Sequence, residues 1–203
     1  MANIGIFDVL GPIMIGPSSS HTAGAARLGK IARTIVNKPI KDVTFLLHGS
    51  FKETYKGHGT DRALVAGILG MMPDDERLRD ALLIAEKEGL EVHFLPADLG
   101  QVHPNTVKME MILEDGSKST VMGASIGGGN IKLTEMDGLA LDFNGSRSAV
   151  VLEIKDIPGA IAFITGILGH NNKNISMIST NKPAKSEYTF LTIETEDELE
   201  SSL

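Results

Sequence analysis

The hydrophobic rhythm of the chain changes at "DFNGSRS" (Asp142–Ser148), and that change limits what the chain can fold into. A pause of small polar residues and glycine between two differently patterned stretches marks a domain boundary. At 203 residues the chain can bury one large core or two small ones. The expected division is residues 1–145 and 146–203.

Before the pause, apolar residues at Ala25, Leu28, Ile31, Ala32, Ile35 and Val36 fall on one helical face. Val43, Phe45 and Leu47 alternate as a strand would. Thr60 is the expected N-cap of a second helix, and Asp74 or Asp75 that of a third ending at Gly89. "LEVHFL" reads as a strand. Val107–Leu113 and Lys118–Ser125 flank "EDGS", whose Asp115-Gly116 signals a hairpin. Gly127–Gly129 breaks the next strand pair. After the pause come a strand (Ala149–Lys155), a turn and amphipathic helix ("DIPGAIAFITGILGHNN"), two strands ("ISMISTN", "EYTFLTIE") and the start of a helix from Glu196. This is a ferredoxin-like βαββα(β) order, apparently lacking its last strand. The fold class is α+β in both parts.

Two segments share a design. In "SSSHTAGAARLG" a polar cluster (Ser18, Ser19, Ser20, His21, Thr22) precedes an apolar helix. In "GHGTDRALVAGILG" His58 precedes Thr60 and Asp61, and again a helix follows. Each places an imidazole beside the unpaired N–H groups of a helix start, where anions are favoured. If both helices begin at one edge of a sheet, one loop can hold a carboxylate while the other supplies the imidazole. Ordinary capping by Ser20, Thr22 and Thr60 is the simpler reading, although three serines and a histidine exceed what a cap needs. A serine nucleophile is disfavoured, because Pro17 stands where a G-x-S-x-G elbow needs freedom.

Other candidates are weaker. In "HPNT", Asn105 can donate and accept, while His103 before proline reads as a turn residue. Gly127, Gly128 and Gly129 permit close backbone approach to substrate or to another helix, or form a tight turn. Asp156, Pro158 and Gly159 make a strand-to-helix turn that could receive a small anion, or simply a tight connection.

Composition narrows the classes. A net charge of −7, no Trp and two Tyr argue against nucleic acid. The apolar opening "MANIGIFDVLGPIMI" lacks a basic start and is broken by Asp8 and Pro12, so it does not read as a signal peptide. No stretch is long enough to span a bilayer, and a cytoplasmic protein is expected. There is no cysteine, which excludes thiolate-held metals or clusters on this chain alone. No H-x-x-x-H spacing is present, and no metal held by this chain is expected.

Taken in order, "GPSSSHTAGAARLGKIAR", "GHGTD", "HPNT" and "SIGGG" resemble the β subunit of bacterial iron–sulfur-dependent L-serine dehydratases. The tail from about Ser146 resembles an ACT regulatory domain. The resemblance implies an N-terminal part similar to an allosteric substrate-binding domain. It also implies a cysteine-bearing α subunit holding a [4Fe–4S] cluster, an active site between the chains, and conversion of L-serine to pyruvate and ammonia. One iron would act on the departing hydroxyl while a base removes the Cα proton. By the same resemblance His58 is the first choice for the base and His21 the second. Ser18, Ser19, Ser20 and Thr22 would bind the carboxylate, and Thr60 would belong to the same binding group. Asp61 would orient His58 or receive the ammonium, with Asn105 and Gly127–Gly129 at the site wall. Asp156, Pro158 and Gly159 would bind an effector. The family pattern departs at the end, where the ACT domain's fourth strand is missing. An open sheet edge favours homo-association. A non-catalytic, serine-sensing regulatory subunit is the alternative from another functional class.

Overall fold

The computed structural model describes residues 12–184 and 186–197, as two compact units that divide between Phe143 and Asn144. In the first unit a π-helical turn, Ser19–Gly24, runs into helix α1 (Ala25–Val36). Then follow β1 (Ile40–Leu47), α2 (Gly49–Thr54), α3 (Thr60–Ile68), a 3-10 turn (Glu76–Asp80) and α4 (Ala81–Glu88). The remaining elements are strands: β2 (Glu91–Pro96), β3 (Thr106–Leu113), β4 (Lys118–Gly127), β5 (Asn130–Met136) and β6 (Leu139–Phe143). They form a sheet of order β2-β1-β3-β4-β5-β6, in which β1 and β2 are parallel and the other pairs antiparallel.

The alternation expected in β1 is present: Val43, Phe45 and Leu47 are buried. They join Val107, Met109, Met111 and Leu113 of β3 under Leu28 and Ala32 of α1 and Leu64 and Ile68 of α3. Fully burying a side chain of this size contributes about 1.5–3 kcal/mol, so this layer carries much of the unit's stability. The two helices cross with glycine against glycine. A Cβ on Gly29 would strike the Leu64 carbonyl and the Gly67 Cα, and one on Gly67 would strike the Ala26 carbonyl and the Gly29 Cα. This close crossing sets the N-terminal half of α1 against the C-terminal half of α3, and the turn that precedes α1 then runs back along α3 to the loop at His58.

Two expectations about helix starts change. Thr60 is not a cap: Gly59, in the left-handed region at φ 70°, takes the N-cap position of α3 and Thr60 is its first residue. Only glycine enters that region without penalty, and "HGT" places one there. Asp75 caps the 3-10 turn, accepting from the Arg77 N–H, and the helix proper begins at Ala81. The short helix α2 has no counterpart in the pattern of the sequence, since six residues carry no readable period. The Asp115-Gly116 hairpin and the Gly89 helix end stand as expected.

The second unit runs β7 (Ser148–Lys155), α5 (Ala160–His170), β8 (Ile175–Asn181) and β9 (Tyr188–Thr195). Its sheet has order β7-β9-β8, antiparallel throughout, around Leu168, Leu191 and Ile193. Where a helix was expected from Glu196, Glu196 and Asp197 form a bend and the rest of that segment lies outside the described residues. Most of the apolar opening stretch lies outside them too. Among the described residues, no helix is long and apolar enough to cross a membrane.

Candidate active site

The two histidine-bearing loops meet. Ser18 caps the π-helical turn, its hydroxyl accepting from the His21 N–H at 3.2 Å. That turn sends the His21 ring inward, where it is nearly buried. Its Nδ1 lies 3.1 Å from Ser20 Oγ and 3.5 Å from Ser18 Oγ. Its Nε2 lies 3.1 Å from Ser50 Oγ, at the start of α2. The rings of His21 and His58 meet edge to face with centroids 4.8 Å apart, and Phe51 meets His21 from another side at 5.3 Å. Thr22 Oγ1 donates to the His58 carbonyl at 3.4 Å, which ties the second loop to the first.

The two imidazoles differ in environment. Burial, and secondarily the neighbouring His58, lower the pKa of His21 from its ordinary value. His58 is exposed. It lines a cavity of about 520 Å³ together with Gly16, Pro17, Thr22, Lys56, Arg62 and Arg79. Three cationic side chains on that rim suit a carboxylate-bearing ligand in a chain whose net charge is −7.

The remaining candidates sort by position. Asp61 accepts from the Arg62 N–H at 2.8 Å, and no described contact joins it to His58. Thr60 is fully buried, and its hydroxyl finds no partner among the described residues. Ser19 lies within the π-helical turn. Asn105 braces strand ends: its Nδ2 donates to the Ser125 carbonyl at 3.5 Å, and its carbonyl accepts from the Ser125 N–H. His103 behaves as a turn residue, its Nδ1 accepting from the Asn105 N–H at 3.1 Å. Gly127–Gly129 form the β4–β5 turn, with all three φ angles positive. The Gly129 carbonyl accepts from Arg27 Nη1 at 2.9 Å, and a Cβ there would strike Pro12. The triplet therefore buttresses the serine loop and is absent from the lining of the cavity beside His58.

In the second unit Gly159 is the N-cap of α5 at φ 89°, and Asp156 accepts from Lys182 Nζ. Asp156 and Gly159 thus serve the tight connection, while Pro158 precedes the cap. Separately, Asp42, Glu91 and His93 gather ligand atoms within 4.8 Å of one another on β1 and β2. Asp42 lies 49 positions from Glu91 along the chain, so no local spacing signals the grouping.

Ser50 is the residue that sequence reading missed. It stands 29 positions from His21, and its approach depends on Gly49. Gly49 adopts φ 51° and leaves no room for a Cβ against the Pro104 backbone, so "HGS" had carried a turn signal.

Fold and site define a two-unit α+β chain with paired imidazoles and a hydroxyl cluster gathered on one side of a helix-covered sheet. These groups can transfer a proton and hold a small anion. Residues 5–88 match the family model described as "Serine dehydratase beta chain". The chain is 42% identical over 204 residues to "L-serine dehydratase, beta chain" of Peptoniphilus asaccharolyticus, covering 100% of this chain and 92% of that one. It is 38% identical over 198 residues to "Probable L-serine dehydratase, beta chain" of Bacillus subtilis, covering 98% and 90%. It is 33% identical over 153 residues to "L-serine dehydratase 2" of Escherichia coli, covering 63% of this chain and 33% of that one. The chain belongs to the serine dehydratase β-chain family.

Proposed function

We propose that this chain is the β subunit of a two-chain L-serine ammonia-lyase that converts L-serine to pyruvate and ammonia. The observation that carries the reading is the His21–His58 pair, with His58 lining a cation-rimmed cavity. The chain has no cysteine, so its residues do not fit a [4Fe–4S] cluster. In this reading a cysteine-bearing α subunit holds the cluster, and loss of the serine hydroxyl is left to that subunit. The Escherichia coli relative, of which this chain spans 33%, supports an enzyme that needs more chain than this one.

This chain's own share is binding and proton transfer. Thr22 and the cationic rim hold the substrate carboxylate, with Ser18 and Ser20 behind them as hydrogen-bond partners of His21. His58 removes the Cα proton. Its exposure suits it to touch substrate, and an imidazole can take up and release a proton as a general base must. Asp61 receives the ammonium. Loss of the Cα proton and the hydroxyl gives an aminoacrylate, which tautomerises to an imine. Water hydrolyses the imine to pyruvate and ammonia.

In the second unit the strand order β7-β9-β8 and helix α5 between β7 and β8 support an ACT domain over residues 146–203, with residues 1–145 as the serine dehydratase β-chain domain. The turn at Asp156, Pro158 and Gly159 would receive an effector, and the exposed apolar face of α5 would join two copies.

The test is anaerobic co-expression with the cognate cysteine-rich chain, followed by assay of pyruvate from serine. The complex should turn over and this chain alone should not. If the free chain binds serine and substitution of Ser18–Ser20 costs the complex only its cooperativity, the serine-sensing alternative holds instead.

A further inference from the structure

We propose that Ser50 is a positioning residue of this site, clamping the His21 ring so that His21 stays a fixed neutral neighbour and the proton exchanged at the site resides on His58. The proposal rests on the reading of His58 as base. Five groups surround the His21 ring: Ser20 Oγ at 3.1 Å and Ser18 Oγ at 3.5 Å from Nδ1, Ser50 Oγ 3.1 Å from Nε2, and Phe51 and His58 edge to face. Both ring nitrogens are therefore engaged, each with a hydroxyl that can donate or accept. A neutral imidazole needs one donor and one acceptor partner, and among the described residues Ser50 is the side chain that hydrogen-bonds Nε2, so losing its hydroxyl leaves that nitrogen without the partner that balances Nδ1. Among the described residues, His58 is the titratable group that faces His21. Protonating both rings 4.8 Å apart would set like charges against each other in a nearly buried place.

Ser50 is itself held. Its carbonyl accepts from Thr54 Oγ1 at 2.8 Å, within the single turn and a half of α2. Gly49 fits α2 against Pro104, so the hydroxyl is presented by a packed backbone and not by a free loop. A side chain placed this way fixes another by hydrogen bonding without touching substrate, as outer partners of catalytic histidines do.

The test uses the full chain alone and the assembled complex. In the free chain, side-chain ¹⁵N spectra should show His21 neutral near neutral pH, with a tautomer ratio set by its hydroxyl partners. In Ser50→Ala, which leaves Nε2 without its hydroxyl, that tautomer ratio should change, and Ser50→Thr, which keeps the hydroxyl, should restore it. In the complex, Ser50→Ala should lower kcat by about tenfold while KM stays within about twofold, with recovery in Ser50→Thr. An unchanged tautomer ratio in a folded Ser50→Ala chain overturns the proposal. So does a kcat deficit that Ser50→Thr shares. Full turnover of a His58→Gln complex overturns the base assignment instead, and the spectra of the free chain distinguish the two failures.

Discussion

His21 and His58 sit 4.8 Å apart and answer differently to substitution, because one is nearly buried and the other exposed. His58→Gln should leave stability within about 0.5 kcal/mol, as exposed changes do. The same change should lower kcat of the assembled enzyme by about 10²–10⁴, the usual share of a general base. Urea melts of the free chain and pyruvate assays of the complex read the two halves. His21 carries a pH signature. Burial first, and His58 second, hold its folded pKa below the ordinary value of about 6.5. Below that value the unfolded chain takes a proton that the folded chain resists. This group's contribution is therefore fully present above about pH 6.5 and falls as the pH descends toward its folded pKa. Urea midpoints between pH 7.5 and 5 should decline, and in His21→Gln that component of the slope should vanish.

At the scale of elements, the α1–α3 crossing decides where both loops end. Gly29 and Gly67 pass backbone to backbone, with no room for a methyl group on either. Gly67→Ala should cost about 1–3 kcal/mol through overpacking, beyond the small gain that alanine brings to a helix. It should also part the two loops, seen as a weakened His21–His58 contact in proton NMR. The same crossing shows which features were readable beforehand. The alternation of Val43, Phe45 and Leu47 and the Asp115-Gly116 turn are local, and both were legible. That His21 and His58 could share a site was legible only as a condition, since it required the two loops to meet. The π-helical turn was hidden, because "SSSHTAG" fits an ordinary cap equally well. Thr60 was misplaced because Gly59 could take the left-handed position, a choice the surrounding fold makes. Ser50 was out of reach for another reason. Its contact with His21 spans 29 residues and exists only once β1 and α2 have set the turn at Gly49.

At the scale of the whole molecule, the second unit buries little: Leu168, Leu191 and Ile193 are its buried hydrophobic centre. Its helix is apolar beyond the face that reaches this core. Phe163 is 73% exposed, and Ile167, one turn on, is 38% exposed. With Ala162 and Gly166 they line a shallow apolar hollow on α5. Removing apolar surface from water contributes about 25 cal/mol per Å², so two such faces gain by meeting. Phe163→Glu places a charge in the middle of that face while leaving Leu168 and the sheet untouched. Sedimentation velocity of the wild-type chain should report an associated species, and Phe163→Glu should shift it toward the monomer. Far-UV circular dichroism should stay unchanged. The imidazole pair belongs to the other unit, so the spectra of His21 should be the same in both proteins. A Phe163→Glu chain that sediments as the wild type does would place association elsewhere, and the exposed face of α5 would then have no part in it.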